Sequence, residues 1–356
     1  MTDINKKIRG CLLGGAVGDA LGYQIEFKRN IRDKEVTRYK DKGIISDDTQ
    51  MTLFTANALL WRATRLNLKG IAMKYDDAIY LGYLDWLNTQ NNKKSENSIS
   101  WIKEVSELNV LRAPGKTCVD ALSSGKKGTI EKPINDSKGC GSVMRVAPIG
   151  LYIKDPDTAG EIGAKAGAIT HGHPLGFIPC FTLSVMINLI VYGKKSIDDA
   201  LNCSMKKTIR KYGIFNKNVR IFNNLIKKAI KLSKSALSDI EAIKQLGEGW
   251  VAEEAFAIAI YSCLKYSNSF ENAIICAINH DGDSDSTGSI AGNIIGSYLG
   301  EQSIPEYYLE NLELKDMIVE LSDDLSIPVP VSEFSNTNDE YWLNKYLYCK
   351  RTTIDN

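Results

Sequence analysis

The stretch Ile44-Ile45-Ser46-Asp47-Asp48-Thr49-Gln50 sets two carboxylates and two hydroxyls directly before an apolar, helix-like run from Met51 to Leu66. Alone it reads as ordinary helix-start chemistry, with Ser as N-cap and Asp in the first turn, favoured by capping and by the helix dipole. A distant counterpart changes that reading: Asp281-Gly282-Asp283-Ser284-Asp285-Ser286-Thr287 precedes a second helical run, Gly288 to Leu299. Two oxygen-rich helix entrances imply one shared site. Asp47, Asp48, Asp283 and Asp285 with the hydroxyls of Ser46 and Ser286 make an all-oxygen ligand set, which suits Mg²⁺ or Mn²⁺ rather than zinc. Four converging carboxylates repel one another unless cations lie between them. An EF-hand is excluded: Asp283, Asp285, Thr287 and Gly288 fit its early loop positions, but Ile294 stands where the bidentate Glu belongs.

Outward from these entrances, helical periodicity dominates. Ser46 to Leu66 places Met51, Phe54, Ala58, Leu59, Trp61 and Leu66 at helical spacing, the pattern of a largely buried helix. Ile8 to Tyr23 is a helix with Gly10, Gly14, Gly15, Gly18 and Gly22, and only Met1 to Arg9 precede it. A dinucleotide fingerprint needs a strand there, so close helix–helix packing is the better explanation. Asp19 and Glu26 are then acids in or just after a tightly packed segment, where an unpaired carboxylate is costly. Arg112 to Thr117 ends like a P-loop but has Val110 at the leading glycine position, and a nucleotide site is discarded. Asn88 to Ser100 reads as a surface loop. Lys206 to Lys234 holds ten Lys or Arg and no acid, interleaved with apolar residues, which describes amphipathic helices with solvated basic faces. Few segments alternate like strands, so an all-α fold is expected. The expected organisation is one domain over residues 1–356, with the part after about 325 a peripheral C-terminal tail.

At 356 residues and 44% hydrophobic, the chain has enough apolar material for a large core. Lys and Arg number 44 against 43 Asp and Glu, a balance that supplies no electrostatic case for nucleic acid. No nucleic-acid or membrane partner is expected, since no segment reads as the roughly 18 uninterrupted apolar residues of a span. The eight cysteines include no C-x-x-C pair and read as reduced thiols. The polar start lacks a signal-peptide shape, and a cytoplasmic location is the expectation. Of three histidines, His171 and His173 lie together and His280 directly precedes the second acidic cluster; with no paired Cys nearby, zinc is not favoured.

Six segments taken in order carry a resemblance: Gly10-Cys-Leu-Leu-Gly-Gly-Ala-Val-Gly-Asp-Ala-Leu-Gly22 with Glu26, Ser46-Asp-Asp-Thr49, Gly139-Cys-Gly-Ser-Val-Met-Arg145, Thr170-His-Gly-His-Pro174, Trp250-Val-Ala-Glu-Glu-Ala255 and Gly282-Asp-Ser-Asp-Ser286. Together, from Ile8 to about Leu325, they resemble the ADP-ribosylglycohydrolase family. The resemblance implies a compact orthogonal bundle of helices with a central binuclear site holding two Mg²⁺ or Mn²⁺ ions. It implies Ser46, Asp47, Asp48, Asp283, Asp285 and Ser286 as metal ligands. Ser fills both hydroxyl positions where relatives often have Thr, which keeps the coordinating oxygen. It further implies Glu26 and Asp283 as catalytic groups, Glu26 lying on a mobile flap, and Gly139, Gly141, Ser142 and His171 as holding ADP-ribose.

The implied activity is metal-dependent hydrolysis of the N-glycosidic bond between ADP-ribose and a modified arginine of a protein. Serine-linked or small-molecule ADP-ribose conjugates, two-metal phosphoester hydrolysis and non-catalytic ADP-ribose binding are the alternatives. The expected partner is an ADP-ribosylated protein. An ADP-ribosylating enzyme or toxin is a further candidate, which would make protection from a toxin the biological role.

Overall fold

The computed structural model describes residues 2–27, 35–93, 97–334 and 339–351. Regular structure among them is helical: α1 (Asp3–Tyr23), α2 (Asp47–Lys69), α3 (Tyr75–Gln90), α4 (Lys116–Ser123), α5 (Ala147–Tyr152), α6 (Pro156–Ala168), α7 (Pro174–Val191), α8 (Ile197–Tyr212), α9 (Asn216–Ser233), α10 (Asp239–Ile243), α11 (Ala252–Lys265), α12 (Phe270–Ile278), α13 (Ser284–Leu299), α14 (Glu306–Leu309), α15 (Lys315–Ser326) and α16 (Glu340–Tyr346). Among the described residues, β-type pairing is confined to two isolated bridges, Gly43 with Leu312 and Gly139 with Val251. The fold is all-α, as the periodicity predicts.

The glycines of α1 pack it against α13. A Cβ on Gly10, Gly14, Gly18 or Gly22 would stand 2.4, 2.5, 2.0 and 2.2 Å from the carbonyl oxygens of Gly296, Gly292, Gly288 and Ser284 respectively. The partner numbers fall as those of α1 rise, so the helices run antiparallel with their backbones in contact. Spacing by four keeps all these positions on one face. The consequence for the site is direct: the last turn of α1, with Asp19 and Gly22, lies against the first turn of α13.

α2 begins at the first acidic cluster, capped by Ser46, whose side chain accepts from the Asp48 N–H, and ends at Gly70 in the left-handed region (φ +61°). Nearly all of its first five turns is buried, against α3, α5 and α15 among others. α7 is apolar all round and buried, packed by α5, α6, α8, α9, α11 and α13. The expectation that no segment reaches the length and apolarity of a membrane span is wrong here. Pro174–Val191 is 18 residues with mean hydropathy 1.9, long and apolar enough to cross. With 89% of its residues buried, other helices supply the apolar surroundings that such a sequence demands.

Two further expectations are corrected. Asn88 to Ser100 is not simply a surface loop: α3 runs to Gln90, and Ile99 and Ser100 are buried, with the Ile99 N–H donating to Asp85 Oδ2. Residues 94–96 lie outside the described residues. The basic faces of α8 and α9 are amphipathic as expected, but not uniformly solvated: Lys207 and Arg210 pair with Asp157, and Lys211 with Glu161, all on α6. Beyond Leu325 the chain returns to the core. Trp342 donates from Nε1 to Thr64 Oγ1 on α2, and the Lys345 ammonium is buried against Glu320 and Asp324.

Candidate functional site

The first acidic cluster is built by its backbone. Asp19, fully buried on α1, accepts from the N–H groups of Ser46 (3.0 Å) and Thr49 (3.0 Å) and from the Thr49 hydroxyl. One carboxylate thus satisfies two donors at the start of α2. The Asp47 N–H donates to the Arg112 carbonyl, and Asp47 Oδ2 accepts from the Gly115 N–H at 3.0 Å. Arg112 is held by Glu313, which also accepts from the Ile45 N–H.

The second cluster is capped likewise. Asp283 is the N-cap of α13, its Oδ1 accepting from the Ser286 N–H at 3.1 Å, while the Asp283 N–H donates to the Glu248 carbonyl at 2.8 Å. Asp285 Oδ1 also accepts from the Ser286 N–H. The two helix starts meet where the Ser286 hydroxyl donates to Asp48 Oδ2 at 3.4 Å. Glu26, Asp283 and Asp285 each bring an oxygen to a group whose members lie within 4.8 Å of one another. The structure therefore brings Glu26 and all six predicted ligand residues to one region. The flap expected around Glu26 continues into residues 28–34, which lie outside the described residues.

No Lys or Arg pairs with Asp19, Glu26, Asp47, Asp48, Asp283 or Asp285 among the described residues. Burial, with repulsion from Asp283 and Asp47, pushes Glu26 up to about 8. Burial pushes Asp47 up to about 8 against the Gly115 hydrogen bond, and Asp19 to about 6. Asp48 and Asp285 are held well above the carboxylate range by burial and by neighbouring acids. Asp48 Oδ1 and Glu26 Oε2 are buried without a hydrogen-bond partner. Oxygen donors, excess negative charge and orphaned carboxylate oxygens together fit hard divalent cations.

Gly139, Gly141 and Ser142 form a loop beside the second cluster. It is held by the Cys140 N–H donating to the Trp250 carbonyl and the Ala252 N–H donating to the Lys138 carbonyl. His171 is buried beneath this loop: a Cβ on Gly139 would lie 3.1 Å from its Nε2. The Ser142 hydroxyl donates to the Gly139 carbonyl at 3.0 Å, closing the loop itself. The other histidines serve the helices: His173 caps α7, accepting from the Leu175 N–H, and His280 contacts Thr287 Oγ1 on α13.

Sequence reading misses two contributors and the partners of a third. Cys140 donates its thiol to Asp283 Oδ2 at 2.7 Å. The segment set aside as a failed P-loop supplies the Gly115 N–H to Asp47, and its glycine is the only signal it carried. Asp19 drew notice as a costly buried acid, but nothing local tells that its partners are the N–H groups of Ser46 and Thr49.

Comparison with known proteins bears on the family and the fold. The family model described as ADP-ribosylglycohydrolase matches residues 1–333. The chain is similar to human ADP-ribosylhydrolase ARH3, 24% identical over 336 residues that cover 86% of this chain and 89% of the relative. It is also similar to the ADP-ribosyl-[dinitrogen reductase] glycohydrolase of Rhodospirillum rubrum, 24% identical over 328 residues, covering 88% and 92%. Among solved structures, one titled "ADP-ribosylglycohydrolase-related protein complex" shares the fold with TM-score 0.63 at 21% identity, covering 92% of this chain and 99% of the other.

Proposed function

The chain belongs to the ADP-ribosylglycohydrolase family, and from that membership we propose that it hydrolyses the bond joining ADP-ribose to a modified arginine side chain of a protein. The observation that supports the arginine reading is Glu26, an acid outside the predicted ligand set whose buried Oε2 has no partner, since an arginine leaving group departs as a guanidinium that such a carboxylate can face. Ser46, Asp47, Asp48, Asp283, Asp285 and Ser286 would hold two divalent ions, Mg²⁺ or Mn²⁺. When bound, such ions supply positive charge that orients ribose hydroxyls and acidifies a water.

The chain's own groups supply the rest. Hydrolysis breaks the anomeric C–N bond and forms a C–O bond from water, one water proton passing to the departing nitrogen. The anomeric carbon gains oxocarbenium character on the way, which nearby carboxylates stabilise. Glu26 Oε2, buried and without a partner, is the atom assigned to hold the proton in transit. The Gly139–Ser142 loop offers backbone donors for the diphosphate. Serine-linked ADP-ribose is the second reading, because an alkoxide leaving group needs a proton donor and Glu26 Oε2, buried and without a partner, is placed to be one.

The test is incubation of the purified protein with an arginine-ADP-ribosylated protein, with and without Mg²⁺, beside Asp283→Ala and Glu26→Ala. Release of free ADP-ribose that requires Mg²⁺ and Asp283 is expected, with Glu26→Ala at least a hundredfold slower. Cleavage of a serine-linked substrate alone would replace the arginine reading. Release of AMP or phosphate would move the site to phosphoester hydrolysis, and binding of ADP-ribose without turnover to a non-catalytic role.

A further inference from the structure

Arg145 is fully buried, and its partners are uncharged. Its guanidinium stacks 4.1 Å from the centre of the Tyr83 ring. Nη1 donates towards Met51 Sδ and Cys118 Sγ; Nη2 donates to the Ala166 carbonyl at 3.3 Å and to Thr170 Oγ1 at 2.6 Å. Thr170 Oγ1 lies in turn 2.8 Å from His171 Nδ1. A buried cation is expensive, and here it is spent at one end of a hydrogen-bonded chain that leads to the glycine loop.

The direction of that chain follows from donor counting. A guanidinium has donors only, so the hydrogen between Arg145 and Thr170 belongs to Arg145, and the threonine oxygen accepts. The hydroxyl hydrogen of Thr170 then needs an acceptor. The Cys118 thiol, also near that hydroxyl, is a weak acceptor; the imidazole nitrogen is a strong one. His171 Nδ1 therefore accepts and carries no proton, which leaves the ring hydrogen on Nε2. Nε2 faces the loop, where a side chain at residue 139 would cover it. Burial and the charge of Arg145 keep the imidazole neutral, with its pKa lowered to about 3.

We propose that Arg145 and Thr170 are positioning residues that lock His171 in the Nε2–H tautomer, making it a permanent neutral donor to an anionic oxygen bound in the Gly139–Ser142 loop. On the functional reading above, on which this rests, that oxygen belongs to the diphosphate of ADP-ribose. A protonated histidine would attract the same oxygen but would lose the interaction on titration. A donor fixed by an arginine does not change with pH.

The protein has three histidines, so ¹⁵N-histidine labelling, with His171→Asn for assignment, reads the tautomer directly. The expected spectrum shows His171 Nδ1 unprotonated and Nε2 protonated, unchanged from pH 5 to 8. Thr170→Val should abolish the single tautomer and weaken ADP-ribose binding about tenfold, and Thr170→Ser should restore both. A proton on Nδ1 in the parent chain, or titration of His171 in that range, overturns the relay whatever ADP-ribose does. An unchanged ADP-ribose affinity in Thr170→Val overturns the donor role. A parent chain with the expected tautomer that does not bind ADP-ribose sinks the functional reading and leaves the relay standing.

Discussion

Asp19 shows how one side chain outside the predicted ligand set governs the site. Its carboxylate takes the N–H groups of Ser46 and Thr49, so it sets where Asp47 and Asp48 point. Asp19→Asn should keep the fold and weaken Mg²⁺ binding about tenfold or more, read by calorimetry. Asp19→Ala, which leaves those buried donors unpaired, should cost about 3 kcal/mol in urea denaturation. The charged cluster also makes stability depend on pH. In metal-free protein, Glu26 and Asp47 are pushed up to about 8, whereas in the unfolded chain they titrate near 4. Above pH 4 the unfolded state gives up protons that the folded state retains, so stability falls as pH rises from about 4 to about 8. The melting temperature in EDTA should therefore drop between pH 5 and pH 8, and saturating Mg²⁺ should raise it more at pH 8 than at pH 5. Thiol counting gives a separate check. All eight cysteines are free, six of them buried, so a thiol reagent should label at most Cys140 and Cys203 before unfolding, and Mg²⁺ should change the rate at Cys140 alone.

At the scale of elements, the contact of α1 with α13 is the tightest requirement. A side chain at Gly18 would meet Gly288 backbone at 2.0 Å, with no flexible neighbour to yield. Gly18→Val should cost about 3 kcal/mol or more and abolish Mg²⁺ binding by separating Asp19 from α13. Gly70→Ala, with nothing within 4 Å of the added carbon but φ at +61°, should cost only about 1–2 kcal/mol. The glycines of α1 were legible because spacing by four is a local pattern, as were the two helix entrances, where hydroxyls and acids gather just before apolar runs. What was not legible has no local pattern. Gly115 reaches Asp47 through a backbone N–H, a donor every residue but proline has. Cys140 looks like a loop residue until Asp283 is placed beside it. α7 is deceptive for a different reason: Pro179, Thr182, Ser184 and Asn188 break the appearance of an apolar run, yet its average is that of a span, and only its neighbours decide where it is buried.

For the molecule as a whole, the site is a junction between the start of the chain and its last third. Ions bound there would bridge α2 to α13 and, through Asp19, both to α1. Binding to the folded state alone should stabilise the entire chain, by about 2.7 kcal/mol at Mg²⁺ a hundredfold above its dissociation constant. Hydrogen exchange should slow most, and together, at residues 46–49 and 283–287, where local opening is also suppressed. The antiparallel pairing of α1 with α13 also has a temporal side. On the ribosome, α1 meets its partner in full only once residue 299 has emerged, more than 270 residues after it. At ordinary elongation rates that is a wait on the order of tens of seconds, during which a bare strip of glycine backbone has nothing to lie against. The seam that sets Asp19 beside α13 is thus among the last contacts the growing chain can close, and completion of the site waits on nearly all of its synthesis.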